Sequence, residues 1–162
     1  LKERIQIWQK VLPKNAKFEE GFDLSEAAND NCLLYLWVDK GQIANAIDFI
    51  RNNGFKYADT AVFVRNKFRH GGQYFKDYHS QVLVGLKGNF EKPEFRGEKS
   101  VAYESEIGEG SGYTYYRSVI KLLYPDAELI DLVTEAEVLT ETIEDIEGVD
   151  DTASTSREVS DD

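Results

Sequence analysis

The stretch CLLYLWV, residues 32–38, is the part of the sequence that decides the fold. It is a continuous apolar run, which is typical of a strand buried on both faces of a sheet. The segment that follows, QIANAIDFIRNNG (42–54), places Ile43, Ile47 and Ile50 on one helix face and ends in a helix-stopping Asn-Gly pair. We therefore expect a strand followed directly by a helix that packs on the same sheet.

The same alternation continues along the chain. Further strands are predicted at TAVFVR (60–65), QVLVGL (81–86) and ELIDLV (128–133), and a second helix over about 113–124 with Ser111 as its N-cap. Strands that alternate with helices predict an α/β fold with a parallel-type sheet. Folds of this kind bind ligands at the carboxyl ends of their strands.

Acidic charge is concentrated at the C-terminal end. Residues 126–162 hold fourteen acidic residues and one arginine, so the remaining chain is close to neutral although the net charge is −11. We expect one domain over residues 1–138 and an acidic, disordered tail over 139–162. The simplest interpretation of the tail is a solvated segment, and the alternative is a segment that binds basic partners or competes with nucleic acid.

Several function classes are disfavoured by what the chain lacks. The single cysteine, Cys32, rules out an internal disulfide and is expected to be a buried, inert thiol. The two histidines, His70 and His79, come without a carboxylate pattern, so no metal site is expected. No stretch is long and apolar enough to span a membrane, and we expect no membrane partner.

The glycine-containing stretch SEIGEGSG (105–112) allows two interpretations. It precedes a helix and then a strand that carries an acid, which is the pattern of the cofactor turn in ordinary S-adenosylmethionine-dependent methyltransferases. In that interpretation a strand ends at Glu106-Ile107. The alternative is a chance glycine loop, because short glycine motifs are common.

Five pieces of sequence in a fixed order resemble the MTA-type N(6)-adenine methyltransferase family. The resemblance covers about residues 33–134, and its pieces are Leu34–Val38, Gly54-Phe55, Val62–Arg65, Leu83–Asn89 and Tyr116–Leu132. It implies a Rossmann-like methyltransferase sheet with flanking helices. It also implies that the GEGSG stretch lies in the loop before the second helix, and that the cofactor turn follows Leu129–Val133.

The family's catalytic motif, an acidic-Pro-Pro-aromatic turn at a strand end, is not found in this sequence. The three prolines, Pro13, Pro93 and Pro125, are isolated. The nearest positional match is Ile5–Trp8, and the alternative is a motif that lies upstream of residue 1. The segment TEAEVLTE (134–141) carries glutamates where active members hold the cofactor, and like charges repel the cofactor's carboxylate.

Lys87 is the one retained position that the resemblance implies as a cofactor contact. The interpretation that we favour is a lysine that caps a strand end, and the alternative is a vestigial cofactor contact. The resemblance therefore implies a non-catalytic subunit, similar to the inactive partner in the ciliate DNA adenine methyltransferase complex. An active adenine methyltransferase subunit would be its partner and would bind S-adenosylmethionine. A nuclear location and contact with DNA or RNA through the complex follow from the same resemblance.

A basic and aromatic segment over residues 65–79 is the expected contact surface. Positive charge attracts phosphate and aromatic rings stack on bases, and we expect contact with the partner subunit first and with nucleic acid second. The alternatives are an ordinary polar surface loop, or an interaction module with no link to nucleic acid. The predicted contact residues are Arg65, Lys67, Phe68, Arg69, His70, Tyr74 and Lys76.

Overall fold

A computed structural model describes residues 5–13, 23–69, 74–89, 92–93, 98–108 and 111–133. Within them the chain forms one six-stranded sheet and three α-helices. The strands are β1 (Gln6–Val11), β2 (Cys32–Asp39), β3 (Lys56–Arg69), β4 (Asp77–Lys87), β5 (Val101–Tyr103) and β6 (Glu128–Asp131). The helices are α1 (Leu24–Ala27), α2 (Ile43–Asn52) and α3 (Gly112–Leu123), and a 3₁₀ turn covers Glu104–Glu106. The expected acidic tail, residues 139–162, lies outside the described residues.

The sheet has the order β5-β3-β4-β2-β1-β6 and is mixed. Strand β1 pairs in parallel with both β2 and β6, and β3 pairs in parallel with β5. Strand β4 is antiparallel to both of its neighbours, β2 and β3. The expectation of a parallel-type sheet is therefore wrong for β4, because a short hairpin connects β3 to β4 and reverses the chain.

Two apolar layers cover the sheet. On one face α2 packs over β2 and β4 through Ala46, Phe49 and Ile50. On the other face α3 packs through a set that includes Tyr116 and Ile120. This confirms both predicted helices and the Ser111 cap, whose hydroxyl accepts a hydrogen bond from the Thr114 backbone N–H at 3.3 Å.

The face that α2 buries is rotated from the predicted one. Ile43 is 42% exposed, whereas Ala46 and Phe49 are buried. Ile50 is buried and Ile47 packs against the core as predicted, so the buried face is centred toward Ala46 and Phe49 and only Ile43 falls outside it. Asn53-Gly54 does end the helix, and Gly54 adopts a φ of 82°, which favours glycine.

The β3–β4 hairpin is longer than its sequence pattern predicts. Strand β3 runs on to Arg69 and β4 begins at Asp77, so both extend into the segment that was expected to be a polar loop. The extension is possible because Arg65, which points inward, finds a carboxylate and a hydroxyl there. Among the described residues no helix is long and apolar enough to cross a membrane.

Candidate functional site

The carboxyl ends of β1, β2 and β6 meet at one edge of the sheet. Strand β1 has two parallel neighbours: β2, the next strand in sequence, on one side, and β6, the last strand, on the other. The chain therefore leaves β1 toward β2 and returns at the end to the opposite side of β1. Open α/β sheets bind ligands in the crevice between two strands at which the strand order reverses in this way. We call the space between the carboxyl ends of β1 and β6 the β1–β6 crevice.

The Gln9 side chain joins β1 to β6 at the base of the crevice, where Gln9 pairs in register with Asp131. Its amide nitrogen donates to Asp131 Oδ2 at 3.1 Å and to the Tyr113 carbonyl at 3.3 Å, and its amide oxygen accepts from Trp37 Nε1 at 3.0 Å. Gln9 is fully buried. The hydrogen-bonding capacity of the amide is therefore used inside the protein, as burial of a polar group requires.

Asp131, at the end of β6, is engaged in the same way. Its Oδ2 also forms an ion pair with Arg117 of α3, and its Oδ1 accepts from the Val133 backbone N–H at 3.0 Å. Both carboxylate oxygens thus have partners within the chain. The acid that ends this strand orders the helix and the turn around it.

An aromatic cluster closes the crevice on the α3 side. The Trp37 ring meets Tyr113 edge-on at 4.7 Å and Tyr116 at 5.4 Å between centroids. A Cβ placed on Gly112 would lie 2.8 Å from Trp37 and 3.0 Å from Phe63, so glycine is what lets the start of α3 approach this closely.

The proposed catalytic slot at Ile5–Trp8 is wrong in position. These residues lie at the beginning of β1, and Ile7 and Trp8 are buried in the sheet's two core layers. The carboxyl end of β1 is at Val11–Pro13, where the Leu12 backbone N–H still bonds to the Trp37 carbonyl. The described residues there include no acidic side chain and only one proline, Pro13.

Lys87 lies at the opposite end of the sheet from the crevice. It is the last residue of β4 and pairs with Cys32, the first residue of β2. Its ammonium donates to the carbonyls of Ser25 and Ala28 at 3.2 and 3.4 Å, at the end of α1. The alternative of a vestigial cofactor contact is therefore corrected, and the favoured interpretation, a lysine at a strand end, describes its role.

The neighbours of Lys87 explain the rest of that sequence piece. Gly88 has a φ of 78°, and a Cβ there would lie 2.1 Å from the Asp30 carbonyl oxygen. The Asn89 backbone N–H bonds to the Asn31 side chain at 3.0 Å. Lys87, Gly88 and Asn89 together fasten β4 to the turn before β2, which is a structural function.

The GEGSG stretch does not follow β1, β2 or β6, the strands whose carboxyl ends form the crevice. The strand before it, β5, ends at Tyr103 rather than at Glu106-Ile107, and it is the outermost strand beside β3. The described part of the stretch, Gly108, Ser111 and Gly112, leads into α3. The interpretation as an ordinary cofactor turn is therefore wrong, because a strand at the sheet's edge does not border the reversal.

The polar groups that the described residues place at the crevice already have partners within the chain. Gln9, Asp131 and the Trp37 indole are the polar groups at its base, and each is bonded to another part of the chain. A cofactor would have to displace these bonds. Residues 134–141, whose glutamates were expected to repel the cofactor, lie outside the described residues.

The predicted contact residues on the hairpin divide into two groups. Arg65, Phe68 and Arg69 are buried within the chain, so their side chains are structural in this fold. Arg65 donates to Asp77 Oδ1 at 2.8 Å, and Arg69 lies 3.5 Å from Asp39 Oδ1. A basic residue that faces inward on a strand cannot be told from an exposed one by charge alone.

The second group is exposed and stays available for contact. Lys67, Tyr74 and Lys76 lie at the surface, and Tyr74 is 90% exposed. Phe75, 81% exposed, and the half-buried Lys40 lie beside them and were not among the predicted residues. His70 lies outside the described residues.

Comparisons with known proteins connect the chain with methyltransferases. Over 89 residues it is 34% identical to the type II methyltransferase M.MunI of a Mycoplasma species. The match covers 54% of this chain, which spans little more than a third (37%) of that protein's length. No protein-family model matches the chain.

A solved structure shares the fold. The crystal structure of the M1.HpyAVI–SAM complex superposes with a TM-score of 0.58 at 16% identity, over 83% of this chain and 75% of that chain. The mixed α/β sheet with flanking helices is therefore a Rossmann-like methyltransferase fold, as the sequence predicts.

Proposed function

We propose that this chain is a non-catalytic methyltransferase-like subunit of an adenine-N(6) methyltransferase complex. It pairs with an active subunit, which binds S-adenosylmethionine, and it supports that subunit and helps to hold DNA or RNA. A nuclear location belongs to the same proposal. The observation that carries it is the β1–β6 crevice, which Gln9 and Asp131 bridge and which lacks an acidic-Pro-Pro-aromatic turn at the end of β1.

The alternative is an active adenine methyltransferase whose catalytic motif lies outside the sequence. The similarity to the type II methyltransferase M.MunI is compatible with it. Against it stands the position of β1, which already occupies the place between β2 and β6. A motif upstream of residue 1 would need to reach this crevice without a strand of its own there.

Methyl transfer tests the proposal. The chain is assayed alone with tritiated S-adenosylmethionine and an adenine-containing oligonucleotide, and then with an active adenine methyltransferase subunit. We expect no transfer by the chain alone and a higher rate for the pair than for the active subunit alone. Transfer by the chain alone supports the alternative, and a rate for the pair that equals the active subunit's rate contradicts the scaffolding role.

A matched variant identifies which subunit does the chemistry. The active subunit is inactivated in its catalytic motif and mixed with this chain. If this chain is non-catalytic, the mixture transfers no methyl group. Residual transfer that depends on this chain would place a working site in it.

A further inference from the structure

Two large, exposed aromatic rings lie just before the start of β4. Tyr74 and Phe75 are 90% and 81% exposed, and the Lys40 ammonium lies over the Phe75 ring at 6.0 Å from its centroid. Adjacent rings in water are unfavourable for a folded surface, and such groups mark contact sites more often than isolated apolar residues do.

The chain beside these rings is held in place. The Lys40 ammonium, which lies next to the end of β2, donates to the Phe75 carbonyl at 2.6 Å. Two residues further on, Asp77 is bound by the buried Arg65 through its side chain and its carbonyl, at 2.8 and 2.9 Å. Lys76 extends over the Phe68 ring at 5.7 Å. The rings are therefore mounted on a braced backbone, which lowers the entropy lost when they bind something.

Positive charge surrounds the rings. Lys40, Lys67 and Lys76 lie on this part of the hairpin and the adjoining turn. The nearby carboxylates are occupied: Asp77 by Arg65, and Asp39 by Arg69. Glu104 accepts a hydrogen bond from the Asn66 backbone N–H at 2.7 Å. Among the described residues of this region, five basic side chains thus stand against three acidic ones, although the Asp39 carboxylate is itself 61% exposed.

We propose that Tyr74 and Phe75, with Lys40, Lys67 and Lys76, form a platform that binds single-stranded nucleic acid. Flat rings stack on unpaired bases, and ammonium groups attract the phosphates between them. Protein interfaces are enriched in aromatic residues but depleted of lysine, so the three lysines beside the rings favour a single strand over a protein partner. Duplex bases are already stacked on each other and offer no face to the rings.

The platform lies at the same end of the sheet as the crevice, the end where β1, β2 and β6 have their carboxyl termini. Asp39, the last residue of β2, pairs with Ser80, so residues 74–79 extend beyond the end of β2. A single-stranded nucleic acid on the platform would therefore be held at the carboxyl end of the sheet, where α/β folds of this kind bind their ligands. This placement rests on the proposed function, in which the complex presents nucleic acid to the active subunit.

Fluorescence anisotropy with labelled 12-mers tests the platform. The probes are oligothymidine, oligouridine and a DNA duplex of equal length, at low salt, with the full chain. We expect the single strands to bind more tightly than the duplex. The relative affinity of oligothymidine and oligouridine then reports whether the strand is DNA or RNA.

Two sets of variants separate stacking from charge. Tyr74→Ala/Phe75→Ala should weaken single-strand binding at least about tenfold and leave its salt dependence unchanged. Lys67→Gln/Lys76→Gln should reduce the slope of log affinity against log salt by about 1.4, since each phosphate contact to a single strand contributes about 0.7. The matched controls Tyr103→Ala and Lys121→Gln, which are exposed elsewhere, should change neither.

Three results would overturn the platform. They are equal affinity for duplex and single strand, unchanged affinity of the Tyr74→Ala/Phe75→Ala variant, and a loss of affinity for the active subunit in that variant with oligonucleotide binding intact. The last result would identify a protein-docking surface instead. Circular dichroism confirms that each variant is folded. The methyl-transfer assay tests the proposed scaffolding function separately. The platform and the scaffolding function can therefore fail independently.

Discussion

Gln9 is fully buried although its side chain is polar, because three partners satisfy both ends of its amide. Its neighbours in sequence, Trp8 and Lys10, are also buried, so β1 has no apolar alternation to reveal it. Sequence periodicity therefore missed the strand that forms the crevice. Hydrogen bonds between distant residues decide its burial, and a local pattern does not contain them.

The reactivity of Cys32 is predictable at the residue scale, from burial alone. The thiol is fully covered, and burial raises its pKa to about 12, slightly offset by Lys87. At pH 8 fewer than about one thiol in a thousand is ionised, and the thiolate is the reactive form.

We expect no reaction with Ellman's reagent in the native protein at pH 8 and one thiol per chain in denaturant. Cys32→Ala provides the blank in both conditions. Rapid reaction of the native protein would contradict the described packing.

Tyr116 provides a pH test. Burial raises its pKa above the ordinary value of 10.0, with smaller contributions from Tyr115 and Glu98. The unfolded chain therefore loses this proton first as pH rises above 10, and the associated stability is lost between that pH and the folded pKa. Tyr116→Phe should reduce the slope of the unfolding free energy there by about 1.4 kcal/mol per pH unit.

The same variant should not be destabilised at pH 7. The Tyr116 hydroxyl is buried and has no hydrogen-bond partner among the described residues, so its removal leaves no group unsatisfied. Urea unfolding at a series of pH values measures both effects, with the exposed Tyr103→Phe as the control. A slope identical to that of the unchanged protein would show that Tyr116 is not buried as described.

At the scale of elements, the apolar strands and the two long helices could be predicted, because their patterns are local. Strand β5 is only three residues long, and polar residues interrupt the apolar pattern of β1, so neither strand could be predicted from hydrophobic periodicity. The direction of β4 follows from the hairpin and not from its composition. The hairpin's extension depends on Arg65 and Asp77, which pair across 12 positions of sequence.

Arg65 tests how the hairpin is held. Its guanidinium is fully buried and bonds to Asp77 and to the Ser80 hydroxyl at 2.7 Å. Arg65→Met should cost about 3–5 kcal/mol, because a carboxylate is left buried without its partner. The exposed neighbour Lys67→Met should change stability by less than about 0.5 kcal/mol. Chemical denaturation measures both, and equal effects would contradict the described burial.

For the whole molecule, the family resemblance predicted the methyltransferase fold and the order of its pieces. It misplaced the catalytic slot at Ile5–Trp8 and implied a cofactor role for Lys87. Sequence order alone does not say whether a residue lies at the amino-terminal or the carboxyl-terminal end of the parallel strands. The topology supplies that information. It places Lys87 at the end of the sheet opposite the crevice. It places Gln9 and Asp131 on β1 and β6, the two strands between which the strand order reverses.

The proposed function requires that the β1–β6 crevice does not hold S-adenosylmethionine. Calorimetric titration of S-adenosylmethionine into the chain tests it most directly, first alone and then beside an active subunit whose own pocket is blocked. The bridged crevice predicts no heat of binding in either case. Micromolar binding to this chain would contradict the account and would mean that Gln9 and Asp131 give up their bonds to a cofactor.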